Sequence, residues 1–236
     1  MYYLPVEQLH LRAKFLIAEF KEEGEASYID GAIDLDREAL KLCPYGAGHT
    51  TARAVSLTLL AIHLGDRYDE LGERKDVEEA IILDQEVLDL CPQEHHDRLV
   101  LLRNLKAHLA SRYQQFGAMH DIKRAIHLGQ EALRLDKQGA PDPGLKALNS
   151  LGVHLSVRYK QLGAMEDIDQ AIVLGLQVLD HCPEEHSART SYLNNLAAHL
   201  SERYDKSGVM EDLDAAIVFN REALKLRPKD TFELAL

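Results

Sequence analysis

Three observations on this sequence predict an all-α solenoid of helical hairpins. The first is repetition: Arg203-Tyr204 recurs as Arg158-Tyr159, Arg112-Tyr113 and Arg67-Tyr68, and Ala216-Ile217 recurs as Ala171-Ile172, Ala125-Ile126, Ala80-Ile81 and Ala32-Ile33. The steps are 45 to 48 residues, a period that marks stacked supersecondary units. The second is period: Leu193, Leu196, Ala197, Leu200 and Tyr204 fall on one face of a helix. The third is composition. Tryptophan is absent, and Leu, Ala, Ile and Val carry most of the apolar content, which suits close-packed helices.

Each repeat reads as two helices. Gly24, Gly72, Gly117, Gly163 and Gly208 close the first helices, since glycine enters the left-handed conformation without a Cβ penalty. Asp76, Asp121, Asp167 and Asp212 stand near the start of the second helices, where they are expected to cap orphan N–H groups and meet the positive dipole end. Leu213, Ala216, Ile217, Leu224 and Leu226 are expected to face inward on the last of these. Pro44, Pro92, Pro183 and Pro228 end the second helices. The expected hairpins are about 5–43, 48–91, 94–137, 142–182 and 185–227 in a single array spanning 1–236. Tyr45 to Thr51 holds an insertion, and Gln138 to Gly144 predicts a bend or loop without a domain boundary. The first hairpin departs from the pattern, with Phe15 for histidine and Glu19-Phe20 for Arg-Tyr, as terminal repeats do. The FELAL end reads as a short cap or as the start of a further repeat in a longer protein.

Bulk properties exclude several functions. A net charge of −12 opposes nucleic-acid binding. No stretch reads as a signal peptide or membrane span, so no membrane partner and a cytoplasmic location are expected. Cys43, Cys91 and Cys182 fall at equivalent ends of separate repeats and predict free thiols.

The spacing of Ala216, Ala223 and Pro228, with Ala32, Ala39 and Pro44, resembles the second-helix signature of the tetratricopeptide repeat (TPR). Leu196-Ala197 with Leu200, Leu60-Ala61 and Leu151-Gly152 resemble its first-helix positions, whereas Lys106 replaces a small residue. The LNNLA, RY and DLDAAI segments resemble long-repeat arrays of fungal multidomain proteins that carry NACHT-type NTPase or caspase-like CHAT modules. The resemblance implies a right-handed superhelix with first helices lining a concave groove, and a protein-interaction scaffold rather than an enzyme.

Candidate chemistry is weighed against packing. His63, His108, His154 and His199 share one slot in four repeats. Equivalent residues of stacked hairpins lie roughly 10 Å apart, whereas zinc holds its ligands at about 2 Å. The ladder therefore predicts histidines packed between hairpins, with a pH effect as the alternative. The Arg-Tyr pairs predict a core tyrosine with its hydroxyl at the rim, beside an arginine held by a carboxylate of the adjacent second helix. His95-His96-Asp97 and His186 near Glu184 and Glu185 lie at turns and are expected to be solvated. No HExxH, CxxC or phosphate loop is present, and no metal, cofactor or catalytic residue is assigned.

Second helices are acidic, while Arg98, Arg103, Lys106, Lys146, Arg158 and Arg189 lie on first helices, predicting a neutral to mildly basic groove. By the resemblance, Arg103, Asn104, Lys146, Asn149, Asn194 and Asn195 are the peptide-binding candidates, with Thr58 and Ser150 at equivalent positions. Asparagine both donates to and accepts from a peptide backbone. Asn104 and Lys146 match two members of the chaperone carboxylate clamp, but Thr58, Ile62 and Ser150 break it. A neutral to acidic protein or peptide ligand is the expected partner. The alternatives are a regulatory region of a larger fungal protein and a chain that self-associates end to end.

Overall fold

A computed structural model describes residues 3–46, 50–92, 95, 97–136 and 144–226. Gln138 to Pro143, Pro228, His96 and the FELAL end lie outside the described residues, as does part of the Tyr45 to Thr51 segment. The described chain holds ten helices and no strand: α1 (Tyr3–Glu23), α2 (Ala26–Lys41), α3 (Thr50–Leu71), α4 (Arg74–Leu90), α5 (Arg98–Phe116), α6 (Met119–Asp136), α7 (Leu145–Leu162), α8 (Met165–His181), α9 (Arg189–Ser207) and α10 (Met210–Lys225). They group into two compact units, Met1–Leu128 and Gly129–Leu236. In the first unit α1 packs on α2, α3 on both α2 and α4, and α4 on α5. In the second, α7 packs on α8, α8 on α9, and α9 on α10.

Glycine makes the hairpin turns. Gly24, Gly72, Gly117, Gly163 and Gly208 all adopt positive φ, between 69° and 73°. Each donates its N–H to the carbonyl four residues back, that of Phe20, Tyr68, Tyr113, Tyr159 or Tyr204, at 2.7–2.8 Å. The turn thus fixes the aromatic residue at the base of each first helix.

The apolar stripes meet as their period requires, with Ile29, Ile33, Leu57, Leu60, Leu64, Leu102, Leu105, Leu109, Leu151 and Leu155 fully buried. The last second helix differs from the expectation. Ala216 is buried, but Ile217, Leu224 and Leu226 are exposed. Among the described residues no further first helix covers them. The three cysteines are free thiols, two buried and Cys91 half-buried.

Candidate peptide-binding site

The site is framed by a recurring ion pair inside the hairpins. Arg67 Nε and Nη2 donate to Asp76 at 2.7 Å each. Arg112 repeats the fork on Asp121, Arg158 on Asp167 and Arg203 on Asp212. These aspartates are buried. The paired carboxylates hold Arg67 and Arg203 well above the ordinary arginine range. The expectation that these aspartates cap their helices is corrected. The residues before the first turn are Glu73, Ala164 and Val209, with no side-chain cap, and Asp76, Asp167 and Asp212 each donate their own N–H to that residue's carbonyl. The carboxylate sits in the first turn, near the positive dipole end, and points to arginine. Tyr68 donates to the Ser111 carbonyl at 3.3 Å and Tyr159 to that of Glu202 at 3.4 Å, each on a neighbouring first helix.

A second recurring arginine was not singled out as structural by the sequence. Arg53 donates to the Cys43 carbonyl and Arg189 to that of Cys182, at 3.0 and 2.7 Å, tying each first helix to the end of the preceding hairpin. Their other nitrogens hold Glu86 and Glu222. Arg158 and Arg189 are therefore engaged with second-helix carboxylates, and the basic groove charge expected from them is neutralised in place. The recurrence of Arg53 and Arg189 at matching positions, opposite Glu86 and Glu222, was the available signal.

The histidine slot lies between hairpins. His63 Nδ1 donates to Asp36 at 2.5 Å and His108 Nδ1 to Asp84 at 2.7 Å, both across to the preceding second helix. Burial raises the Asp84 carboxyl, and His108 opposes that shift. His199 is buried with Nδ1 lacking a hydrogen-bond partner among the described residues. The position on α8 equivalent to Asp36 is Gly175, which has no side chain to accept. Between α1 and α3, Ser56 Oγ donates to the Ala52 carbonyl and so accepts from His10 Nε2 at 3.0 Å. Among the described residues no cluster of three metal-ligating side chains occurs. His95 and His186 instead accept backbone N–H groups of Asp97 and Ala188 at their turns.

Burial lowers the pKa of His10 and of His199; the charge of Lys160 lowers the latter further and Glu202 opposes it. A depressed folded pKa means that the fold resists a proton which the unfolded chain accepts near the reference value of about 6.5. The stability these residues contribute is complete above that value and declines as pH falls through it toward the folded values. Thermal unfolding from pH 7.5 to 5 should show that decline, and His199→Gln should flatten it. An unchanged slope would place the proton uptake elsewhere.

Among the predicted peptide-binding residues, the structure joins Asn195 Nδ2 to Asn149 Oδ1 at 3.0 Å, across α9 and α7. The bond uses one N–H of the Asn195 amide and the Asn149 side-chain oxygen. Asn194 is half-buried beside them and Lys146 is exposed one turn before Asn149. In the other unit Arg103 is exposed, and Asn104 is half-buried with its Nδ2 enclosed and lacking a hydrogen-bond partner among the described residues. Burial, then the Arg103 charge, lowers the Lys106 pKa.

The sequence did not reveal a pocket of about 500 Å³ where α3, the end of α4 and the start of α5 meet. Ala54, Val55, Leu59, Val87, Val100 and Leu101 form its apolar wall; Thr50, Thr51 and Thr58 add hydroxyls. His95 and Asp97 are among its lining residues, and among the described residues no lysine or arginine is. Of the positions assigned by resemblance, only Thr58 reaches it. Its walls come from three helices in two hairpins, so no single stretch of sequence displays it.

No protein-family model matches the sequence, and no curated protein matches it. Solved structures do match. The nearly identical TPR-like repeats of a kinesin light chain-type protein of Podosopora anserina superpose with a TM-score of 0.63 at 19% identity, over 95% of this chain and 99% of that one. MamA gives 0.59 at 16% identity, covering 100% and 99%. YrrB, described as a TPR protein with an unusual peptide-binding site, gives 0.54 at 16% identity, covering 90% and 97%. At such identities the likeness is one of backbone, and the chain is an all-α solenoid with the tetratricopeptide-like repeat fold.

Proposed function

We propose that the chain is a non-catalytic protein-interaction module that holds an extended peptide or helix against its first helices. The observation that carries this reading is the open apolar pocket of α3, α4 and α5. Its volume of about 500 Å³ lies within the few hundred to 1,000 Å³ typical of ligand sites. Exposed Val55 and Val100 lie in its lining, where water gains little by staying. With Asp97 but no lysine or arginine among the described lining residues, the pocket suits an uncharged apolar side chain. The Asn149–Asn195 pair is suited to a peptide backbone, because its unused amide groups both donate and accept. Arg103 and Lys146 are exposed cations and favour a ligand that is neutral to acidic beyond its anchor. YrrB, of the same fold, has a peptide-binding site, which supports the reading by analogy of fold.

Selection of peptides from a random display library on the full chain tests it. The selected peptides should share one large apolar residue. Val55→Glu and Val100→Glu should each weaken them at least tenfold while leaving the melting temperature unchanged, because both side chains are about half exposed. Peptides that bind the glutamate variants equally well would remove the pocket from the interface.

A further inference from the structure

The framework of the α3–α4–α5 pocket occurs a second time in the chain. α7, α8 and α9 repeat α3, α4 and α5 at a constant offset of 91 residues. Leu71 and Gly72 return as Leu162 and Gly163, Cys91, Pro92 and His95 as Cys182, Pro183 and His186, and Arg98 as Arg189. The turn that leads into α5 and α9 is built alike in both places. The His95 N–H donates to the Pro92 carbonyl and the His186 N–H to that of Pro183, each at 3.1 Å. His95 Nδ1 accepts the Asp97 N–H at 3.2 Å, and His186 Nδ1 accepts the Ala188 N–H at 3.1 Å. Each imidazole is therefore held by its own turn, in the same place relative to the helix that follows.

The two sites part at the size of two wall residues. Leu101 lines the pocket, and its counterpart on α9 is Tyr192; both are buried, at 7% and 5% exposure. Ala54 lines the pocket, and its counterpart on α7 is Leu145, also buried. The Tyr192 ring stacks on His186 with 6.0 Å between ring centroids and 27° between planes, within the range where aromatic rings attract. Burial raises the Tyr192 phenol, and the charge of Cys182 adds to that shift, so the ring runs from His186 toward Cys182. The counterparts of those two neighbours, His95 and Cys91, both line the pocket. In the second unit the chain thus fills this place with an aromatic ring of its own. In the first, Leu101 and Ala54 are too short to do so, and a space of about 500 Å³ remains beside an exposed imidazole.

We infer that the side chain this pocket selects is aromatic, phenylalanine or tyrosine, laid on His95 as Tyr192 is laid on His186. This rests on the peptide-binding reading of the pocket and narrows it. An aliphatic anchor would bury apolar surface equally well, but only a flat ring also gains from the imidazole face. His95 is then the residue that prefers a ring to a branched chain, and the small size of Ala54 and Leu101 keeps the place vacant for it.

Titration of the full chain with N-acetyl-phenylalanine amide and with N-acetyl-leucine amide, followed by NMR shifts, tests the inference. Saturable shifts at Cys91, Val100 and Leu101 are expected, with the phenylalanine amide tighter by about threefold or more. His95→Asn keeps an acceptor for the Asp97 N–H but removes the ring, and should erase that preference while leaving the leucine amide unchanged. Leu101→Tyr should abolish binding of both amides, because the ring then comes from within. Ala54→Leu, at a half-buried wall position, should do the same and serves if Leu101→Tyr lowers the melting temperature. Equal or tighter binding of the leucine amide, lost in Val100→Glu, would overturn the aromatic assignment and leave the pocket as a peptide site. A preference that survives His95→Asn would overturn the part given to His95. Absence of pocket shifts with either amide, or shifts indifferent to Val100→Glu, would overturn the aromatic assignment and the peptide-binding reading together.

Discussion

Replacing Arg67 by alanine should destabilise the chain by about 3–5 kcal/mol, the cost of leaving one member of a buried ion pair alone. The Asp76 side chain is 1% exposed and receives two of the guanidinium's N–H donors, so no water is at hand to replace them. The same arginine reaches Asp30 at 2.6 Å, so its loss loosens both its own hairpin and the joint to the preceding one. Arg37–Glu79 supplies the contrast. Both of its side chains are about 40% exposed, and Arg37→Ala should cost about 0–1 kcal/mol. Guanidinium chloride unfolding of the two variants compares them directly. Equal and small losses would mean that the Asp76 carboxylate finds other donors once the arginine is gone. Replacing both Arg67 and Asp76 by apolar residues of similar volume should recover much of the loss, because the uncompensated charge goes with the pair.

Gly65→Ala is the second large effect. Gly65 is buried in α3, and a Cβ built there runs into the His108 imidazole. A flexible side chain would turn aside, but His108 is tied to Asp84 through Nδ1 at 2.7 Å. The ring must either give up that hydrogen bond, about 1–3 kcal/mol when a buried group is left unsatisfied, or force α3 and α5 apart, about 1–3 kcal/mol of overpacking. Whichever gives way, the loss is about 1–3 kcal/mol on those scales. A double-mutant cycle with His108→Ala isolates the collision. The coupling should exceed about 1 kcal/mol in the compensating direction. Additive losses would show that the ring relaxes without strain.

Repetition makes much of this legible before any coordinates. The glycine turns and the Arg-to-carboxylate pairing recur in register, so one repeat reads for the others. The Tyr68 and Tyr159 hydroxyls also find partners, as a polar tip on a buried ring requires. What is not legible depends on how neighbouring helices meet. Asp76 and Asp212 have the residue type and place of a cap, yet a competing guanidinium nine residues back takes the carboxylate. Arg189 looks like groove charge because a sequence does not show that Glu222 folds against it. Ile217 carries the same periodic signal as Ile172, and only the presence or absence of a covering helix separates them. The pocket is hidden for the same reason. Asn149 and Asn195 were chosen by their position in the repeat, and the structure places the two in contact.

The joints between hairpins described above link residues no more than 46 apart, as His10 to Ser56 and Asn149 to Asn195 are. Order is thus stored between neighbours, with little of the distant closure that makes barrels and sandwiches slow to form. A tether pulling on such a chain would peel it in instalments rather than breaking it at once. Each instalment would free about one repeat, roughly 150 Å of extended backbone at some 3.3–3.6 Å per residue. The molecule can therefore yield under load in steps and zip closed again from whatever hairpins remain.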